Sequence, residues 1–399
     1  NPNLPGYDQG ADRIAYAFVH LFAYTKMMPI FSMLFGASIL LFTGRVEARG
    51  GRSGRRWFAR QWWLLAIGLL HGYLLWNGDI LVPYAVVGLV LYRFRRLRPR
   101  TLVTLAVLAL ILPKLGMYGG SVFMEHVRDT AAEAAALRAA GEDLTREQER
   151  FLEVWTETGA DWTPDAEGFA ETAALMRGGY GGILRANASE LFIMHLFMYP
   201  LVFNWSIAGY MMIGMVLFKT GVLQGQRTDR FYAWLAVIGY GLGLPGAWWG
   251  MRFMDAHFGD FILMLRYSFA TTEVSGPLVS LGHIALIVLA GRHGWFGALE
   301  ARLVAAGRMA FSNYLAQTVI GVTLFYGYGF GLYARLSRVE MLGVVLGVWA
   351  LQLLWSPWWL ARFRFGPAEW LWRTLTYGRG QALRRRPAAA GAAPESEPA

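Results

Sequence analysis

His71 and Asp79 are the residues whose types and spacing best support acid–base chemistry in this sequence. The histidine lies about nine residues into an apolar stretch, hence roughly 13 Å deep at a helical rise of 1.5 Å per residue. Ionisable groups at that depth are expensive, and they mark functional sites by default. Asp79 stands in Trp76-Asn77-Gly78-Asp79, a short polar interruption of the apolar pattern. If the turn there folds back, the carboxylate orients the imidazole and leaves its other nitrogen to act as a general base. The plainer reading is that His71 bonds a neighbouring helix and Asp79 caps a helix beginning at Ile80.

Other polar residues in apolar segments extend the candidate site. Lys26 opens an apolar stretch ending at Gly36; it either snorkels outward or pairs with Asp79. Asn313 and Gln317 are four apart on one helical face, where amides bind a ligand or tie helices together. Glu369 and Arg373, also four apart, read as a local salt bridge on an interfacial helix around Trp370 and Trp372. Lys114 belongs at an interface, His283 reads as a packing histidine, and Leu191–Phe203, with His195, reads as a surface segment before the chain enters the membrane near Pro200. The seven histidines nowhere adopt metal-ligand spacing, and the absence of cysteine removes thiolate chemistry. Gly241, Gly243 and Gly246 match a dinucleotide fingerprint but sit inside an apolar span, where close helix packing explains them. The glycines from Gly178 to Gly182 read as a flexible loop without a phosphate-loop lysine.

The elements that position these residues follow from length and charge. Trp62 to Tyr92 is a 31-residue apolar run whose one charged residue is Asp79. Since one crossing needs about 20 residues, it reads as two short helices folded at Gly78-Asp79. Arginines crowd both flanks, from Arg45 to Arg60 and from Arg93 to Arg100, which puts both ends in the cytoplasm and the turn outside. Applied along the chain, the same reasoning predicts nine spans, near 19–43, 59–77, 80–95, 101–120, 200–218, 231–251, 274–291, 309–332 and 341–361. Their expected grouping is a four-span bundle over 1–120 and a five-span bundle with an interfacial helix over 191–378.

Between them, residues 121–190 carry 14 Asp and Glu against 6 Arg and no Lys. This acidic segment reads as an extracytoplasmic cap, with helices over Glu125–Leu137 and Thr145–Val154. The end, 379–399, reads as a cytoplasmic tail, disordered after Arg386. Span parity places the polar start at Asn1 outside, so a further helix is expected upstream, for ten spans in all.

Composition narrows the class. Hydrophobic residues make up 55% and charged residues 16%, which excludes an ordinary soluble domain. The net charge of +10 does not indicate nucleic acid, because 24 of the 37 Lys and Arg fall in the expected cytoplasmic segments. A bilayer with an anionic inner leaflet is the matching partner. The expected fold is therefore all-α, a polytopic transmembrane helical bundle in a bacterial inner membrane with its C-terminus cytoplasmic.

Four patches make the chain resemble the YeiB-like family of bacterial membrane proteins. They run from Lys26 to Gly36; from Arg60 through His71, Gly78, Asp79 and Leu81 to Tyr84; from Gly307 to Leu315 with Gln317; and from Gly366 to Arg373, closing at Thr376-Tyr377-Gly378. The family looks related to transmembrane acyltransferases, which move acyl groups from a cytosolic donor to an extracytoplasmic acceptor. The resemblance thus implies a helical bundle and acyl transfer to an envelope glycan, lipid or small molecule. His71 would be the base, Asp79 its orienting partner, and Arg308 would meet the phosphates of an acyl-coenzyme A donor. The chain departs from the acyltransferase pattern in lacking an Asp/Arg-Gly motif on its first helix. The other function expected of the same polar residues is small-molecule transport or export.

Overall fold

A computed structural model describes residues 9–159, 166–269 and 274–385. The start at Asn1 and the tail beyond Arg386 lie outside the described residues. The first half comprises α1 (Gly10–Phe22), α2 (Met27–Ala48), α3 (Ser53–Leu74), α4 (Leu81–Leu91), α5 (Pro99–Ala140), α6 (Arg146–Gly159), α7 (Ala166–Met176) and α8 (Tyr180–Ile193). The second comprises α9 (Asn204–Lys219), α10 (Asp229–Ala256), α11 (Phe261–Phe269), α12 (Ser275–Arg292), α13 (Leu299–Arg308), α14 (Ala310–Phe325), α15 (Arg338–Arg362) and α16 (Pro367–Tyr377). No strand occurs among the described residues, where Phe363 and Arg384 form an isolated bridge. The fold is an all-α helical bundle.

Local signals set the boundaries. Ser337 and Glu340 form a reciprocal capping box that starts α15, and Thr228 accepts from the Phe231 amide to start α10. Pro99 and Pro367 open α5 and α16, and left-handed Gly141 and Gly378 close them. Thr25, at φ 62°, breaks the apolar run between α1 and α2.

Among the described residues, five stretches are long and apolar enough to cross a membrane: Gly10–Ala48, Pro99–Ala140, Tyr180–Lys219, Ser275–Arg292 and Arg338–Arg362. They contain the spans expected near 19–43, 101–120, 200–218, 274–291 and 341–361. The other four expected spans are helical over most of their length without meeting that standard. α4 and α14 have 11 and 16 residues, short of the roughly 20 a crossing needs. α14 stops at Phe325 because Gly327, Gly329 and Gly331 follow, so the span expected to reach 332 ends in a turn-rich loop. Large apolar side chains stay exposed along several helices, among them Trp234, Leu242, Leu346 and Leu354, as lipid contact requires. The chain is a membrane protein.

Two expectations near the acidic segment change. The boundary expected at 120 falls inside α5, a continuous 42-residue helix that carries the predicted helix Glu125–Leu137 with it. Nor does Leu191–Phe203 lie as a separate surface segment. Tyr180 to Lys219 is one helical rod, whose Met194–Phe203 part has π geometry around Pro200. A wider turn accommodates the proline's missing N–H without ending the helix.

The tightest crossings rest on glycine. A Cβ at Gly36 would overlap the Met211 carbonyl oxygen, and one at Gly214 would overlap that of Met33, so α2 and α9 meet backbone to backbone. Gly239 and Gly243 do the same for α10 against Leu278–Gly282 of α12; of the glycine series expected to pack closely, Gly243 does so, a Cβ at Gly246 would come within 3.2 Å of Ser275, and Gly241 faces open space. Gly44, also on α2, faces open space. Gly36→Ala is therefore expected to destabilise the bundle by about 1–3 kcal/mol, as overpacking does. Gly44→Ala is expected to be neutral or stabilising by up to about 1 kcal/mol. Thermal unfolding of both variants in one detergent checks this pair, and equal melting temperatures would contradict the crossing.

Candidate active site

The chain between α3 and α4 does fold back. α3 ends where the amides of Leu75 and Trp76 both bond the His71 carbonyl, and the turn returns Asp79 to the level of His71. Gly68 and Gly72 make room for it. A Cβ at Gly68 would come within 2.9 Å of Leu81 and the Val82 nitrogen, and one at Gly72 within 3.3 Å of Asp79. Both ionisable side chains are buried, His71 at 3% and Asp79 at 2% exposure.

Each polar atom of this pair has a partner. Asp79 Oδ1 lies 2.7 Å from His71 Nδ1, and Oδ2 accepts from the Val82 amide at 2.9 Å. One carboxylate therefore bonds the imidazole and the first turn of α4 at once. Tyr314 of α14 donates its hydroxyl to Oδ1 at 3.3 Å, and Tyr199 donates to the Asp79 carbonyl at 3.1 Å. On the far side of the ring, His71 Nε2 stands 2.9 Å from Thr318 Oγ1. With Asp79 ionised, Nδ1 carries the proton and Nε2 accepts from the threonine hydroxyl. The result is a hydroxyl–imidazole–carboxylate series, Thr318–His71–Asp79.

Thr318, the hydroxyl end of this series, borders a cavity of about 570 Å³, lined also by Tyr314, Gln317, Phe325, Tyr326 and Tyr333 among others; His71 and Asp79 lie behind that lining. The lining is mostly aromatic and aliphatic, with few polar groups, as in small-molecule sites. Among the described residues no group of three or more His, Cys, Asp or Glu is placed to hold a metal ion.

The remaining candidates scatter. Lys26 is buried but bonds the His20 carbonyl at 2.6 Å and Thr25 Oγ1 at 3.3 Å, at the α1–α2 break. The pairing with Asp79 is therefore not made, since that carboxylate is already committed within its own hairpin. Asn313 ties α14 to α13 and α15 through the Ala306 carbonyl, Ser356 and Trp355, and Gln317 donates to Gln352 at 3.0 Å while also bordering the cavity. Arg308 is exposed at the end of α13, ten residues before Thr318. His195 meets Tyr73 at 3.2 Å, and both nitrogens of His283 are bonded, to Tyr240 and the Phe22 carbonyl.

Glu369 takes a role the sequence did not signal. It accepts from the amides of Phe311 and Ser312 and from the Ser312 hydroxyl, and so caps α14 from a remote helix. Arg373 lies over the Phe365 ring, its Cζ 4.5 Å from the centroid. Thr318 and Tyr314 were also missed. The available signal was their i,i+4 spacing in the same helix as Asn313 and Gln317, which puts both on one face.

Similarity to known proteins spans nearly the whole chain. "Uncharacterized protein YeiB" of Escherichia coli (strain K12) is 31% identical over 393 residues, covering 94% of this chain and 88% of that protein. The chain belongs to the YeiB-like family. "Uncharacterized protein YxaH" of Bacillus subtilis (strain 168) is 25% identical over 390 residues, covering 94% and 85%. A family profile described as a protein of unknown function (DUF418) matches residues 217–379, which hold Tyr314 and Thr318 but neither His71 nor Asp79. No solved structure matches the chain.

In this YeiB-like protein, Asp79→Ala is expected to leave buried His71 Nδ1 unsatisfied, at about 1–3 kcal/mol. Loss of the α4 cap adds about 1 kcal/mol. Chemical or thermal unfolding reads the total, and a loss below the cap contribution alone would mean that the His71 contact adds nothing.

Proposed function

We propose that the protein is a transmembrane acyltransferase that passes an acyl group from a cytosolic thioester donor, such as an acyl-coenzyme A, to a hydroxyl of an envelope glycan, lipid or small molecule. The observation that carries this reading is His71, held between the Asp79 carboxylate and the Thr318 hydroxyl, with Thr318 itself lining a largely apolar cavity. In this scheme Thr318 Oγ1 attacks the thioester carbonyl while its proton moves to His71 Nε2. The carbon–sulfur bond breaks, and the leaving thiolate takes that proton. The acceptor hydroxyl then gives its proton to Nε2 and attacks the threonine ester, and Thr318 Oγ1 leaves and is reprotonated. Asp79 holds the tautomer throughout and stabilises the imidazolium, as a buried carboxylate does beside a base. Gln317 and the tyrosines around the cavity contact the acceptor.

The reading places the protein in the bacterial cytoplasmic membrane, with the arginine-rich flanks of α3 and α4 toward the cytoplasm and the Trp76–Asp79 turn away from it. The bacterial sources of the relatives and the clustering of arginine support this placement.

Thiol release from an acyl-coenzyme A, measured on the purified chain in nanodiscs, tests the proposal. His71→Ala and Thr318→Ala are expected to lower the rate by about 10²–10⁴-fold, the range of general-base contributions, whereas Thr318→Ser keeps activity. Intact-protein mass spectrometry is expected to trap the acyl group on Thr318 when no acceptor is present. Equal, slow thiol release from wild type and His71→Ala, with solute accumulation in proteoliposomes, would instead identify a transporter.

A further inference from the structure

The face of α14 that carries Thr318 continues past it. Thr318, Gly321, Val322 and Phe325 follow one another at helical spacing, and all four line the cavity. The seven residues from Thr318 to Phe325 advance about 10 Å along the helix. The chain then folds back on that far end, where the amides of Phe330, Leu332 and Tyr333 bond the carbonyls of Thr323, Leu324 and Phe325. This return brings Leu332 to the wall beside Phe325, and Met341 adds to it from α15. The returning loop is braced from the end of α7. Arg177 Nε donates to the Tyr333 carbonyl at 2.8 Å, and the Gly327 amide donates to the Met176 carbonyl at 2.9 Å. Ala334, on the same wall, holds a left-handed φ of 52°. A residue with a side chain keeps that backbone only where its surroundings impose it, as they do at ligand clamps. The far part of the cavity is a preformed apolar slot.

Gly321 is the position that opens this slot. It stands one turn beyond Thr318, and a Cβ built there would meet nothing within 4 Å. Its backbone is not left-handed, and no neighbouring helix presses on it as one does on Gly36 or Gly214. Glycine inside a helix is costly relative to alanine. What it supplies here is width, because any side chain at this position would project into the cavity beside the Thr318 hydroxyl. Among the described residues, no Asp, Glu, Lys or Arg lines the cavity. Its walls therefore suit an uncharged, flexible apolar chain.

We propose that the slot holds the acyl chain itself, and that the group transferred is a medium chain of about eight carbons rather than an acetyl. The inference rests on the acyl-transfer reading, since an ester on Thr318 Oγ1 extends its chain into the space that this side chain faces. An extended chain with bonds near 1.5 Å advances roughly 1.3 Å per carbon, so about eight carbons reach from Thr318 to Phe325. An acetyl group would leave most of the apolar wall uncovered and forgo the binding energy that burial supplies. A chain of twice the length would overrun Phe325 and meet the returning loop. With the acyl group lodged beyond Gly321, the Tyr314 and Gln317 side of Thr318 stays open to the acceptor hydroxyl.

The test has a kinetic arm and a labelling arm. The full-length chain in nanodiscs is given coenzyme A thioesters from acetyl to palmitoyl, and thiol release is followed. The rate is expected to peak at octanoyl, with kcat/KM at least about tenfold above that for acetyl. Gly321→Leu is expected to lose at least about tenfold on octanoyl while keeping its acetyl rate, which also shows that the variant is folded. Gly321→Ala is expected to lose less, and Gly241→Leu, at an open position on α10, to leave the profile unchanged. The second arm needs no turnover. Octanoic acid carrying a terminal diazirine is photolysed with the chain, and labelled residues are read by peptide mass spectrometry. Label on Val322, Phe325, Leu332 or Met341 is expected, displaced by octanoate but not by acetate, and reduced in Gly321→Leu. If that labelling is found while no thioester releases thiol, the slot stands and the acyltransferase reading fails. If thiol is released fastest from acetyl-coenzyme A and Gly321→Leu keeps the wild-type profile, the acyltransferase reading stands and the slot is overturned. Label that octanoate does not displace overturns the slot as well.

Discussion

The Asp79 carboxylate is the constraint on which the rest of the site depends. One oxygen orients His71 and receives the Tyr314 hydroxyl, while the other closes the first turn of α4. Three helices are therefore referenced to a single buried group, and the turn carrying it is held from a fourth direction by Tyr199. A buried carboxylate is costly without hydrogen bonds, so the surrounding donors and the tight glycines at Gly68 and Gly72 act as one unit. The imidazole can then present Nε2 to Thr318 without further adjustment.

Outside that unit the bundle is held by two kinds of contact suited to lipid, where burial of apolar surface between helices gains little. Backbone approach at Gly36 and Gly214 joins α2 to α9, and at Gly239 and Gly243 it joins α10 to α12. Amide ladders do the other part. Asn313, Gln317 and Gln352 link α14 to α15, and Glu369 secures the start of α14 from α16. α14 is too short to cross alone, yet these ties hold its Thr318 in register with a histidine on α3.

The α3–α4 hairpin, its turn and the His71–Asp79 pair were legible because they are local. Apolar length, a polar interruption and flanking arginine all lie within one segment. The partners of the pair were not legible, since Tyr314 and Thr318 come from a helix more than two hundred residues away and carry no charge to mark them. Lys26 misled for the converse reason. Its charge drew attention, but the left-handed residue at Thr25 turns it toward the His20 carbonyl. Glu369 and Arg373 matched a local pairing rule, and the tertiary demand of an uncapped helix start claimed the glutamate instead. The rod from Tyr180 to Lys219 hid behind Pro200, because a π turn lets a proline sit inside a helix that sequence rules would end.

The eight-residue spacing of His71 and Asp79 also bears on how the protein is made. A ribosome adding about 5–20 residues per second takes roughly 10–50 s to travel from His71 to Thr318. Throughout that interval the early hairpin sits beside the insertion machinery with none of its α14 partners. Because the histidine and the aspartate bond each other within their own turn, the nascent segment need not leave either side chain without a hydrogen-bond partner while it waits. The contact that orders the finished hairpin thus also serves the unfinished one.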